Sequence, residues 1–179
     1  MDPEFFEQLA MPLFDSLYNF AHWVTGDRVD AEDLVQETYV KALKGFKSFQ
    51  EGTNLRAWMF RILRNTFLTS RTGLMARNTL SLEEEAEDVE VLVAHTITPE
   101  SLLLRNENQR MILDALAALP VHYREIILLC EVEGLSYREI AEVLSLPVGT
   151  VMSRLSRARS SLRQTLTAKA PMRSQHEAV

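Results

Sequence analysis

The stretch that decides the fold is Gly134-Leu135-Ser136-Tyr137-Arg138-Glu139-Ile140-Ala141-Glu142-Val143-Leu144-Ser145-Leu146-Pro147-Val148-Gly149-Thr150-Val151-Met152-Ser153-Arg154-Leu155-Ser156-Arg157-Ala158-Arg159. Gly134 suits the left-handed residue that ends a helix. Ser136 followed at the third position by Glu139 is a capping box, so a short helix is predicted over Tyr137–Leu144. Its inward surface is Ile140, Ala141, Val143 and Leu144, with Ala141 small enough for a second helix to approach closely. After a break at Ser145-Leu146, Pro147 fits a first helical position, where its missing N–H costs nothing. A longer helix then turns Val148, Val151 and Leu155 inward and Thr150, Ser153, Arg154, Arg157 and Arg159 outward. This is a helix-turn-helix. Hydroxyls and guanidiniums without carboxylates suit the major groove of duplex DNA, and the N–H groups at the helix start can hold a phosphate. The plainer alternative is a bundle hairpin with a basic outer face. Gly149 in the first turn weighs against it, because glycine weakens a helix and is useful where a backbone must be approached closely.

Working outward, the charges are sorted. The chain carries a net charge of −6, yet Asn54–Arg77 holds five arginines and no acid, and Val148–His176 holds six cations and no acid. Between them, Asn78–Leu104 has seven acids and no lysine or arginine. Two basic patches on an acidic body are two footprints for a polyanion, most simply nucleic acid.

Helical periodicity dominates the remainder. A first helix is expected from Pro3 to Val24, with Phe6, Leu9, Leu13, Leu17, Phe20 and Val24 on one face and Gly26 as its stop. A second is expected from a cap at Asp30 to Phe46, its inward face being Leu34, Val35, Thr38, Tyr39, Ala42, Leu43 and Phe46. Asp33, Gln36, Glu37 and Lys41 cluster on its outward face. Asn54 is a good cap for a third helix reaching about Ser70. That helix interleaves Trp58, Phe60 and Phe67 with Arg56, Arg61, Arg64, Asn65 and Arg71. Such a mixture can hold single-stranded nucleic acid, cations tracking the backbone while rings and amides receive bases. The plainer alternative makes Trp58, Ile62 and Phe67 core, and for Trp58 it is the simpler reading. The acidic stretch Ser81–Pro99 shows no amphipathic face and reads as a linker. Helices resume over Glu100–Leu119 and from His122 to Gly134, and the last one continues to about Thr167.

The bulk numbers exclude several classes. Hydrophobic residues make up 46 % of the chain, enough for packed cores. No apolar run reaches the length of a membrane span, and Met1-Asp2-Pro3-Glu4 lacks the basic start of a signal peptide. The single cysteine, Cys130, sits in an apolar run, fits a reducing cytoplasmic setting and reads as a small buried hydrophobe. The four histidines are isolated, so no metal site is expected, and no nucleophile–base pair or phosphate-cradling glycine loop points to catalysis or to a small-molecule substrate. No cofactor is expected.

Three of these segments are similar to a known family. Asp30–Leu43 resembles the core-polymerase-binding helix of bacterial sigma factors. Asn54–Thr66 looks like their −10-reading, strand-opening helix. Ala118–Ala141 with Pro147–Arg154 looks like their −35-binding domain. The resemblance spans roughly residues 5–166 in order, and with only two modules present it is to the extracytoplasmic-function, or group 4, branch of the sigma-70 family.

The resemblance implies an all-α chain. Residues 1–77 would form a sigma-2-like domain, 78–104 a flexible acidic linker, 105–168 a sigma-4-like helix-turn-helix domain and 169–179 a disordered tail. It implies core RNA polymerase, promoter DNA and an anti-sigma factor as partners, without membrane insertion. Asp33, Gln36 and Glu37 would meet polymerase. Arg56, Arg61, Arg64, Asn65 and Arg71 would serve the −10 element, with Asn65 at a flipped base. Thr150, Ser153, Arg154, Arg157 and Arg159 would serve the −35 duplex. The acidic linker would imitate nucleic acid within the polymerase channel. Met152 and Ser156 depart from the basic and aromatic residues common at those positions, so no −35 sequence preference is carried over. A helix-turn-helix regulator acting on duplex DNA alone is the competing reading.

Overall fold

The computed structural model describes residues 3–50, 52–78 and 107–169, and among these every regular element is helical. The N-terminal unit contains α1 (Pro3–Ala10), α2 (Phe14–Thr25), α3 (Arg28–Gly45) and α4 (Leu55–Asn78). The C-terminal unit contains α5 (Glu107–Ala117), α6 (Val121–Ile127), α7 (Tyr137–Leu144) and α8 (Val148–Lys169). The expected linker and tail lie outside the described residues, save that Asn78 closes α4 and Lys169 closes α8.

The first expected helix is broken in two. Pro12 sits inside a single 3-10 turn, Met11–Leu13, because a proline within an α-helix removes a backbone hydrogen bond and clashes with the preceding turn. α2 ends as anticipated at Gly26, which adopts the left-handed conformation at φ 75°. The next cap is Asp27 rather than Asp30. Its carboxylate accepts the N–H of Val29 at 2.7 Å and of Asp30 at 3.0 Å, so α3 begins earlier than expected. Asn54 does cap α4, its side-chain oxygen accepting the Arg56 N–H at 3.0 Å. α4 then runs past Ser70 to Asn78.

α3 buries Ala31, Leu34, Val35, Thr38 and Ala42 against α2 and α4. Tyr39 is half-buried and donates its hydroxyl to the Ala10 carbonyl at 2.7 Å, tying α3 to α1. Leu43, expected inside, is 47 % exposed. Leu9 is also exposed. Phe46, Phe49 and Trp58 pack ring to ring beyond the end of α3, which places Trp58 with the core as expected.

In the C-terminal unit, α6 runs into a π-helical turn, Leu128–Val132, and Gly134 reverses the chain at φ 65°. The capping box forms: Ser136 Oγ accepts the Glu139 N–H at 3.3 Å and Glu139 accepts the Ser136 N–H at 2.7 Å. α7 has the expected bounds and buries Ile140, Ala141, Val143 and Leu144. The turn into α8 passes through Ser145, the one non-glycine residue with positive φ (54°) among those described. Pro147 precedes α8 instead of opening it, its carbonyl accepting the Val151 N–H at 3.0 Å. Val151, Leu155 and Ala158 are buried, whereas Val148, expected inside, is 39 % exposed.

The two units do not stand apart. α2 packs on α6 and α4 packs on α7, so one apolar cluster runs continuously from Phe6 to Ala158. No helix among the described residues is long and apolar enough to cross a membrane.

Candidate nucleic-acid interface

α4 carries the central basic patch, and its residues divide between two faces. Arg61 and Asn65 are one turn apart, both exposed, on the strip that continues through Leu68 and Thr72. Phe60 and Phe67, expected as base-stacking partners, are buried in the core instead, because they share the inward stripe with Leu63. Arg71 sits above the Phe67 ring, its guanidinium carbon 5.5 Å from the centroid, as a cation–π pair within the helix. The open part of the patch is therefore Arg61 and Asn65, a cation and an amide one turn apart.

Arg56 and Arg64 face the other unit. Arg64 Nε donates to Glu125 Oε1 at 2.9 Å and its Nη1 to the Leu144 carbonyl at 3.2 Å. Arg56 donates to Glu133 and, at 3.0 Å, to Ser16 Oγ. Next to them, Asn54 donates to Glu139 Oε1 at 2.6 Å. Three carboxylates of the helix-turn-helix unit thus meet two arginines and the capping amide of α4. Burial raises the Glu125 carboxyl above the ordinary carboxylate range, and Arg64 offsets only part of that rise. Glu139 lies below the ordinary carboxylate range, first because of the Asn54 amide and then because of Ser136. Sequence spacing gave no sign of these pairs, since their members lie 61 to 85 residues apart.

A further residue that the sequence analysis missed is Arg124. It is 1 % exposed, and burial lowers its pKa. Its guanidinium donates to the carbonyls of Leu116 (3.0 Å), Ala117 (2.6 Å) and Leu119 (2.9 Å), closing the C-terminal end of α5, and to Trp23 (2.7 Å) at the end of α2. One side chain therefore satisfies carbonyls of both units. The available signal was a charged pair, Arg124-Glu125, inside the apolar run Val121–Leu129.

On α8, Ser153 and Arg157 are exposed, and Thr150 and Arg154 are half-buried, with Arg154 close enough to Glu125 to favour its ionised form. Arg159 is exposed but engaged: its Nε donates to Glu131 at 2.9 Å, and its Nη2 lies 3.9 Å from the Cys130 sulfur. Burial raises the half-buried Cys130 thiol. A Cβ on Gly149 would meet no heavy atom within 4 Å, so the close approach expected there is not made by this chain. On α3, Asp33, Gln36 and Glu37 are all exposed on one side. Glu37 pairs with Lys41 at 2.7 Å, and Lys41 also reaches Thr66 Oγ1 at 3.2 Å, so that face is braced against α4.

Residues 10–74 match the family described as Sigma-70 region 2, and residues 109–162 match Sigma-70, region 4. The ECF RNA polymerase sigma-E factor of Haemophilus influenzae is 39 % identical over 140 residues, covering 75 % of this chain and 74 % of that protein. The ECF RNA polymerase sigma factor EcfG of Rhodopseudomonas palustris is 38 % identical over 166 residues, 85 % of this chain and 86 % of the other. Against ECF RNA polymerase sigma factor SigE of Mycolicibacterium smegmatis the identity is 34 % over 168 residues, and the chain spans 64 % of that protein's length. Among solved structures, the sigma factor RpoE in complex with the anti-sigma factor NepR from Bartonella quintana superposes with a TM-score of 0.71 at 31 % identity, over 92 % of this chain and 98 % of that one. CnrH in complex with the cytosolic domain of CnrY gives 0.64 at 26 % identity, over 94 % and 92 %.

Proposed function

The chain belongs to the extracytoplasmic-function branch of the sigma-70 family, and from that membership we propose that it binds core RNA polymerase in the cytoplasm, directs it to promoters and helps open the DNA. It would make and break no bonds itself. Asp33, Gln36 and Glu37 are the residues for polymerase. Arg56, Arg61, Arg64, Asn65 and Arg71 serve the −10 element, and Thr150, Ser153, Arg154, Arg157 and Arg159 the −35 element. An anti-sigma factor is the expected regulator, since the solved relatives RpoE and CnrH are described in complex with NepR, an anti-sigma factor, and with the cytosolic domain of CnrY.

The observation that carries this reading is the pairing of two exposed motifs in one chain: Arg61 with Asn65 on α4, and Ser153 with Arg157 on α8. A regulator that reads duplex DNA alone needs only the second. An exposed amide beside a cation suits an unstacked base next to its phosphate. Asn65→Ala, assayed with reconstituted holoenzyme, should reduce permanganate reactivity of promoter thymines while leaving association with core polymerase intact. Equal loss of core association would assign Asn65 a structural role instead.

A further inference from the structure

The outward face of α8 is polar except at one place. The large apolar side chains that this helix leaves exposed are Val148, its first residue, and Met152, which is 54 % exposed. Met152 stands among the residues assigned to the −35 duplex, directly before Ser153 and one turn before Ser156. Helical spacing puts Gly149 one turn before it on the same strip. Gly149 has no side chain, with nothing within 4 Å of a Cβ built there, and Ser156 is short and exposed. The thioether therefore stands clear of its neighbours along the helix, and a base edge can approach it over Gly149.

On its other flank Met152 lines a groove with Tyr137 of α7 and with Arg159. That guanidinium is already engaged, donating to Glu131 at 2.9 Å and held also by Tyr137. Arg163, the second cation of the groove, lies three turns further along α8. The surface around Met152 thus offers hydroxyls and a thioether, and its nearest arginine is occupied.

We propose that Met152 selects a thymine in the −35 duplex by contact with its C5 methyl group. This rests on the assignment of α8 to the −35 duplex. Methionine carries no N–H or O–H donor and only a weak acceptor, so it cannot pair with the polar edges of guanine, adenine or cytosine. Of the four bases, thymine alone presents an apolar group in the major groove. Cytosine at the same place lacks the methyl group and would lose water from its amino group against a side chain that cannot replace it. The discrimination therefore needs no hydrogen bond, and it adds to whatever Ser153 and Arg157 read beside it.

The test uses holoenzyme reconstituted from core polymerase and the full chain, on a promoter found by run-off mapping. Each thymine of the −35 element, on either strand, is replaced singly by deoxyuridine, which removes only the methyl group. One such replacement should weaken promoter binding about fourfold, the worth of one buried methyl group. Met152→Ala should weaken binding to the thymine promoter by a similar factor and abolish the thymine–uracil difference at that position. Met152→Leu should retain the difference, since it keeps an apolar side chain of like volume. A −35 element in which no uracil replacement matters overturns the proposal, as does a difference that persists undiminished in Met152→Ala. Equal weakening of thymine and uracil promoters by Met152→Ala, with the difference intact, would make Met152 structural. These results leave the sigma assignment standing. Failure of the unmodified holoenzyme to bind or initiate at any promoter removes the −35 assignment, and the role of Met152 falls with it.

Discussion

Arg64 of α4 and Glu125 of α6 form an ion pair at 2.9 Å across the seam between the two units, with both side chains largely removed from water. A buried pair adds little net stability over well-packed apolar residues, but removing one member leaves an uncompensated charge. Arg64→Ala should therefore cost about 3–5 kcal/mol in chemical denaturation, and Arg64→Met with Glu125→Leu should recover most of that loss.

The same variant fixes a pH dependence. Burial already raises Glu125, and Arg64 is the main influence lowering it. Without Arg64 the folded-state value rises further above the unfolded one. A carboxyl raised in this way favours folding while protonated, and the benefit is lost as pH rises through the folded value. Arg64→Ala should thus be closest to the unmodified protein in stability at acid pH and fall behind toward neutrality, as followed by thermal unfolding across pH.

Asn54→Ala acts with the opposite sign. Glu139 is depressed mainly by the Asn54 amide, so its contribution is present above the ordinary carboxylate range and is lost as pH falls through its lower folded value. In the variant, the Glu139 carboxyl should titrate nearer the ordinary range, still lowered by Ser136. Carbon-detected NMR titration of the side-chain carboxyl measures this directly. An unmoved titration would mean that the Ser136 capping box alone sets it.

Arg124→Met should destabilise the fold by on the order of 3 kcal/mol, since buried carbonyls at the end of α5 and at Trp23 lose their donor. Arg124→Lys should not rescue it, because an ammonium cannot span the carbonyls a guanidinium fork reaches. Hydrogen exchange should report the loss at both α2 and α5. Loss confined to α5 would remove the role at Trp23.

On α8, Arg157→Ala should weaken promoter binding by the holoenzyme by about 1–3 kcal/mol if it reads a base, or reduce the salt slope by about one if it holds a phosphate. Arg159→Ala should weaken it less, because Arg159 must first leave Glu131. Fluorescence anisotropy with promoter duplex, repeated across salt, separates these outcomes.

What the sequence made legible was what neighbouring residues decide. The Ser136–Glu139 box, the Gly134 reversal and the bounds of α7 follow from hydrogen bonds within a few positions. Errors arose where two local solutions competed. Asp27 and Asp30 are both capping residues, and the chain used the first. Leu43 and Val148 have apolar side chains at helix edges, where periodicity tolerates either face. The candidate site was half legible: Arg61, Asn65, Ser153 and Arg157 lie outward as their spacing implied. The partners of Arg56, Arg64 and Arg124 come from the other unit, so only the tertiary fold reveals them.

The central claim is that this chain gives core polymerase its promoter choice, and run-off transcription with purified core and this protein tests it most directly. Discrete transcripts that appear only with both components, and that are lost on combined Asp33→Ala, Gln36→Ala and Glu37→Ala substitution, are the predicted result. Tight binding of promoter duplex by the chain alone, with no initiation when core polymerase is added, would contradict it.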